Sequence, residues 1–365
     1  MRKEATSPFQ LFVLIVLFEL GTAVVVPIGL QSTHTVWISI LLALPGGILL
    51  YWIFADLYRQ FPDLVISGYI RKILGKWVGW PLGLLYLPVL MYNGSRNLRE
   101  AGDLLISSSY DRTPIFIINS LMVIAVMYIL YKGIEVFSRT AEIYFWLIII
   151  MGMISVFFVI AAGLVQMKNL FPIHPGEWLE AFRSAYPNIW IFPYGELVCF
   201  TAILPHLNSR KKAKITGVGA IVLSAFLLSF THAVEIAVLG KDIYSRTTFP
   251  LFTTITLVNV ANFIQRLDAL VILTLIIGVF FKMSIYCYAA VSIAADLFQV
   301  KEARKLVFPI GVVVLFSSFV SAENYTEHLK DGKVFLEQIL PFACAVIPIL
   351  LFLVHRVRRR FGLYR

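Results

Sequence analysis

The sequence predicts an all-α integral membrane protein: ten transmembrane helices, built as two inverted sets of five. Three observations predict it. Of 365 residues only 14% are charged and 59% are hydrophobic, whereas a soluble domain needs about a quarter of its residues charged to cover its surface. Apolar stretches of about 20 residues, enough to cross the hydrocarbon core, recur from end to end. Each half of the chain also opens with an apolar stretch that carries helix breakers beside a carboxylic acid, the mark of a discontinuous membrane helix.

Taken in order, the spans are expected near 9–30, 35–57, 79–105, 114–132, 141–164, 186–205, 215–239, 267–296, 305–321 and 334–355. Repeat 1 covers about 9–164 and repeat 2 about 186–355, in a single transmembrane domain over 1–365. Arg2 and Lys3 before the apolar run to Phe18 imitate a secretory leader, but Val24, Val25 and Val26 resume the apolar run. The segment is therefore read as the first span. The stretch 249–264 is rich in Thr and Asn and short for a span, so it is expected to be an amphipathic loop helix.

Charge orients these spans. With a cytoplasmic N-terminus, 20 of the 31 Lys and Arg fall on the cytoplasmic side, from Arg2 to Arg365, and ten on the other. Such a bias is what holds basic loops inside, and it accounts for the net charge of +10 without nucleic acid as a partner. Only Lys282 is left over, at mid-span. The three cysteines, Cys199, Cys287 and Cys344, lie in apolar stretches at no metal-ligand spacing. Two loops on the non-cytoplasmic side invite short helices: one around Trp178, Leu179 and Phe182, the other holding Phe249, Phe252 and Ile255 before Asn259 and Asn262. Each is read either as a lid or as an interfacial anchor.

The breakers define the candidate site. Span 6 contains Phe192-Pro193-Tyr194-Gly195-Glu196. Pro193 removes a backbone donor, Gly195 relaxes the dihedrals, and Glu196 places a carboxyl where an ionised group is costly. Span 1 contains Glu19, Gly21 and Thr22 at the matching place. Span 3 offers Tyr92 and Asn93 to a cavity, with Arg96 as an outer gate; the alternative is paired charge on a helix end, Arg96 with Glu100 and Arg99 with Asp103. In span 8, Lys282 must find a carboxylate, Glu19 or Glu196, and Tyr286 lies one turn further on. His232 and Glu235 in span 7 share a helix face, as polar packing or as a proton relay. No nucleophile–base pair, phosphate loop or metal cluster stands out, so no enzyme, cofactor or metal is expected.

Over its whole length the chain resembles the B subunits of GerA-type nutrient germinant receptors of spore-forming bacteria. The likeness rests on length, ten spans, Ser7-Pro8-Phe9-Gln10 leading into span 1, the Phe192–Glu196 segment and the short basic tail. It implies the amino acid–polyamine–organocation superfamily, with its LeuT-like inverted repeat. It further implies a receptor in the inner spore membrane, acting with an A subunit and a lipoprotein C subunit. Ligand contacts would then fall on Gly21-Thr22 and Tyr194-Gly195-Glu196. Span 1 has Gly21 but not the Gly-x-Gly of amino acid transporters, so the resemblance names no particular nutrient among amino acids, sugars and nucleosides. Three functions follow: a nutrient-sensing subunit, a proton-coupled transporter using Glu19, Glu196, His232 or Lys282, or a scaffold with a vestigial cavity.

Overall fold

A computed structural model describes residues 5–259, 267–321 and 325–361. Asn262, Arg266, Arg2, Lys3 and Arg365, used above for the second loop and the charge count, lie outside the described residues. Apart from one parallel bridge between Thr6 and Leu207, the regular structure among the described residues is helical. Helix α1 (Pro8–Leu20) is followed by α2 (Val36–Gln60), α3 (Ile66–Leu74), α4 (Lys76–Leu84), α5 (Tyr86–Ser108), α6 (Ile115–Lys132) and α7 (Ile134–Ala161). Then come α8 (Pro175–Ser184), α9 (Ala213–Arg246), α10 (Pro250–Thr256), α11 (Asp268–Leu297), α12 (Val307–Val320), α13 (Tyr325–Val334) and α14 (Ile347–Arg360).

Seven helical stretches among the described residues are long and apolar enough to cross a membrane: Val36–Gln60, Ile115–Lys132, Ile134–Ala161, Arg210–Arg246, Asp268–Leu297, Ala303–Val320 and Glu327–Arg360. The other three expected spans depart from that pattern for visible reasons. Span 1 keeps only the 13 residues of α1 before it breaks at Gly21. Span 3 is divided at Leu85 into α4 and α5, and α5 carries Arg96, Arg99, Glu100 and Asp103. Span 6 keeps only two α-helical residues, 190–191, between a π turn at Ala185–Ile189 and a 3-10 helix at Tyr194–Ala202.

The start of α1 follows from the Ser7-Pro8-Phe9-Gln10 sequence. Ser7 Oγ accepts from the Gln10 amide at 3.1 Å, Gln10 Oε1 accepts from the Ser7 amide at 2.9 Å, and Pro8 takes the first position, where no donor is needed. Just before it, the Thr6 amide donates to the His206 carbonyl at 2.8 Å and the Asn208 amide to the Thr6 carbonyl at 3.0 Å. The entry of span 1 and the exit of span 6 are thereby tied on one face. Arg210–Asp63 and Arg359–Gln60 contacts gather basic residues on this same face, the terminal face.

Burial separates centre from rim. Helix α1 is fully buried from Val13 to Phe18 and packs against α7, α9 and α11. In α11 67% of the apolar window is buried, against 22% in α7, whose Ile143, Trp146, Met153, Phe157 and Ile160 point outward as a lipid-facing surface must. Gly46 and Gly47 of α2 let span 6 lie close, since a side-chain carbon on Gly47 would stand 2.7 Å from Tyr194 Cβ.

Of the two loop helices, α8 turns Trp178, Leu179 and Phe182 outward, as an anchor does. It is pinned by Glu177, which accepts from the His174 amide at 2.7 Å and lies 2.8 Å from His34 Nδ1. Burial opposes ionisation of Glu177, but the His174 amide, then the hydrogen bond and charge of His34, outweigh it and hold the carboxyl below its usual range. That stabilisation is present above the unfolded carboxyl value of about 4.3 and is lost as pH falls through the lower folded value. Amide exchange in α8 is expected to quicken only below about pH 4; protection unchanged down to pH 2 would count against the contact. Helix α10 is short, as expected of 249–264, but buries Thr254 and Ile255 against the bundle.

Candidate functional site

The two breaks expected from sequence meet at the centre of the bundle. At the first, Gly21 adopts φ +22°, a conformation that excludes a β-carbon: one placed there would stand 2.8 Å from the Phe18 carbonyl and 2.7 Å from Lys282 Cδ. The chain continues as loose turns, with Val25 and Val26 both bonded to the Thr22 carbonyl, until residue 29. At the second, a π turn at Ala185–Ile189 replaces regular α-helical bonding, and after Pro193 the chain continues as a 3-10 helix. Helix α11 crosses directly behind the first break. Gly278 makes this possible, because a β-carbon on it would be 2.5 Å from the Gly21 carbonyl oxygen.

A cavity of about 550 Å³ lies over both breaks. It opens on the face opposite the termini, between Ser245–Thr248 at the end of α9 and Leu329–Glu337 of the last span. Toward the terminal face it is closed by the buried stretch Val13–Phe18 of α1 and by residues 197–204, none of these more than 3% exposed. Thr22, Asn93, Asn97 and Glu196 contribute polar groups to its lining, beside the apolar ring of Phe192. Thr22 Oγ1 donates to Asn97 Oδ1 at 3.0 Å, and Asn97 Nδ2 donates to the Asn93 carbonyl at 2.8 Å. This chain of bonds fixes the first break to α5.

Glu196, only 2% exposed, lies 2.8 Å from Lys282 Nζ at an angle too oblique for a linear hydrogen bond. The ammonium also faces the rings of Phe192 at 4.4 Å and Phe18 at 5.2 Å. Lys282 thus joins a residue from each break, and of the two carboxylates expected to pair with it, Glu196 is the one in contact. Glu19 is fully buried with both oxygens unpartnered.

The remaining expected residues divide by position. Thr22, Asn93, Phe192 and Glu196 border the cavity. Tyr286, with Asn93 and Glu196, borders an adjoining recess too tight for water, closed by Cys199 and Cys344. Gly21, Pro193, Tyr194 and Gly195 shape the breaks from behind: Tyr194 Oη donates to the Ile40 carbonyl of α2 at 3.2 Å, and Gly195 backs onto Cys344. Tyr92 misses the cavity and packs on Phe335 at 4.7 Å. Arg96 stands at the mouth, donating to the His328 carbonyl at 2.9 Å, with Glu100 at 3.8 Å. Its guanidinium fills the space a side chain at Gly332 would need, so α5 and α13 are bridged at the rim.

His232, on α9, reaches the first break. Its Nε2 is 3.0 Å from the Ala23 carbonyl, and its Nδ1 is 2.8 Å from Glu235 Oε2 and 3.0 Å from Tyr244 Oη. A carbonyl only accepts, so Nε2 carries a hydrogen. The triad is fully buried and touches the break, not the cavity. Asn97 and the last span's contribution, Phe335 and Leu336, were not foreseen; Asn97 follows Asn93 by one helical turn, which was the available signal. Among the described residues no group of three or more His, Cys, Asp or Glu gathers as metal ligands do.

Comparison with known proteins agrees with this fold. Spore germination protein KB of Bacillus subtilis (strain 168) is 35% identical over 356 residues, covering 97% of this chain and 95% of that protein. Spore germination protein A2 of the same organism is 25% identical, covering 90% and 88%. Among solved structures, Mhp1, a nucleobase-cation-symport-1 family transporter in a closed conformation with bromovinylhydantoin bound, superposes with a TM-score of 0.67 at 16% identity, covering 100% of this chain and 82% of that one. That likeness shows the fold, a LeuT-like transporter fold. Residues 5–326 match the family described as spore germination protein, and with the 35% identical relative this shows that the chain belongs to that family of multi-pass membrane proteins.

Proposed function

We propose that this chain is the solute-binding membrane subunit of a nutrient germinant receptor. It binds an amino acid, sugar or nucleoside in the central cavity and passes occupancy to A-type and C-type (lipoprotein) partner subunits. The family is one of membrane receptors and permeases, not enzymes. The observation that carries the reading is the cavity of about 550 Å³ placed on both helix breaks, where free backbone dipoles and a buried carboxylate can hold a small polar solute. On this reading the chain makes ten spans in two inverted sets, and the terminal face is cytoplasmic, so the cavity opens outward from the inner spore membrane. Solute binding would shift the population between conformers with the mouth open and closed.

Calorimetric titration of the purified chain with amino acids, sugars and nucleosides tests this. At least one is expected to bind, and Glu196→Gln is expected to weaken that binding by about tenfold or more, as loss of a charged hydrogen-bond partner does. A panel with no binder, or a variant equal to the parent, overturns the reading. A proton-coupled transporter is the second reading, favoured by the buried His232–Glu235 pair beside the break; uptake of the same solute into proteoliposomes by the chain alone would select it.

A further inference from the structure

Glu196 and the face of Phe192 both border the cavity, and both are engaged by a cation belonging to the protein itself. A carboxylate beside an aromatic face is a recognition pair for an ammonium ion, by direct charge and by the ring quadrupole. Lys282 fills that pair from behind. Its stem passes over Gly21, and it is not among the residues lining the cavity. An ammonium arriving through the mouth would meet the same carboxylate and the same ring from the open side.

A second carboxyl stands close by without a partner. Glu19 precedes Gly21 by two residues, is fully buried, and has no hydrogen bond to either oxygen. The charges of Lys282 and Glu196 both act on it. Buried carboxyls are nearly always bonded, so an unbonded one two residues before the glycine that the Lys282 stem crosses reads as a place kept for that lysine. We propose that Lys282 has two carboxylate positions, Glu196 in the empty site and Glu19 in the occupied one, and that the triggering solute carries an ammonium group which takes Glu196 and Phe192 from it. This rests on the cavity being the solute site. The exchange moves one charge from span 6 to span 1 on a helix, α11, that is packed directly against the first break. It gives occupancy a mechanical consequence, because the ion pair between α11 and span 6 is replaced by one between α11 and span 1.

The test uses the full chain in lipid nanodiscs and radiolabelled methylammonium as probe, at constant sodium chloride. Removing the internal competitor with Lys282→Met is expected to tighten methylammonium binding by about tenfold, because the competent state is no longer masked. Loss of a nearby positive charge alone would also tighten binding, so Glu19→Gln carries the distinction from a merely structural lysine. Glu19→Gln removes the second position and is expected to weaken binding by about tenfold. If Lys282→Met does not fold, Lys282→Gln and Glu19→Gln carry the test. Methylammonium binding no tighter without the lysine, or unchanged by Glu19→Gln, overturns the proposal. A nutrient panel that yields only uncharged binders, none displaced by methylammonium, also overturns it while leaving the cavity as the solute site. Silence of the whole panel removes both.

Discussion

Gly278→Ala is expected to weaken solute binding by about tenfold to a hundredfold while the chain still folds. The new methyl would lie 2.5 Å from the Gly21 carbonyl oxygen, 2.9 Å from its carbonyl carbon and 3.1 Å from its α-carbon. All three are backbone atoms, so no side chain can swing aside. Helix α11 must retreat or the break must deform. Overpacking of this kind costs about 1–3 kcal/mol in a packed interior, and each 1.4 kcal/mol that falls on the binding conformation is about tenfold in affinity. Both routes spoil the site: retreat of α11 carries Lys282 away from Glu196, and deformation of the break moves Thr22 from Asn97. Gly94→Ala is the matched control, since its methyl would meet Val314 at 3.6 Å and Tyr286 at 3.7 Å, ordinary contact distances, beside the same cavity. Titration calorimetry on both variants, with thermal melts to establish folding, reads the result. Equal affinities for the two would show that the tight crossing at Gly21 has no bearing on the solute.

The parts of this site legible in the sequence were those for which insertion into a membrane supplies no reason. Glu19, Glu196 and Lys282 are costly in an apolar stretch, and Gly21, Pro193 and Gly195 interrupt helices that lipid would prefer whole, so their gathering at one depth could be inferred. The partner chosen by Lys282 could not, because Glu19 and Glu196 stand on different helices and only the crossing of α11 decides between them. Tyr92 was drawn toward the cavity by its neighbour Asn93, yet adjacent residues on a helix point about 100° apart, and it fell on Phe335 instead. The irregularity of the last span has one local signal, Pro341, which has no amide to donate and lies between the π turns at Phe335–Ile339 and Phe342–Val346. That widening brings Phe335 and Leu336 to the cavity wall. The rim contact of Arg96 with His328 joins residues 232 apart in the chain, beyond any local pattern.

Substitution of His232 is expected to separate two chemically similar replacements. The Ala23 carbonyl is left without a helical partner by the break, and His232 Nε2 is the donor that satisfies it at 3.0 Å. Glu235 and Tyr244 hold the other nitrogen and so fix the ring's orientation. Glutamine can place an amide nitrogen near the position of Nε2, whereas asparagine reaches only the position of Nδ1. His232→Gln therefore keeps the bond to Ala23 and should hold solute affinity within about threefold of the parent. His232→Asn keeps the polar contact with Glu235 but leaves a buried carbonyl unbonded, at a cost of about 1–3 kcal/mol. Because that carbonyl belongs to the break itself, the cost falls on the conformation that binds, and affinity should drop by about tenfold or more. Calorimetry with the same solute reads the difference, and thermal melts show whether global stability follows it. Equal affinity in the two variants would mean that the histidine packs α9 without shaping the break, and that the first opening in the helix is held by Asn97 and α11 alone.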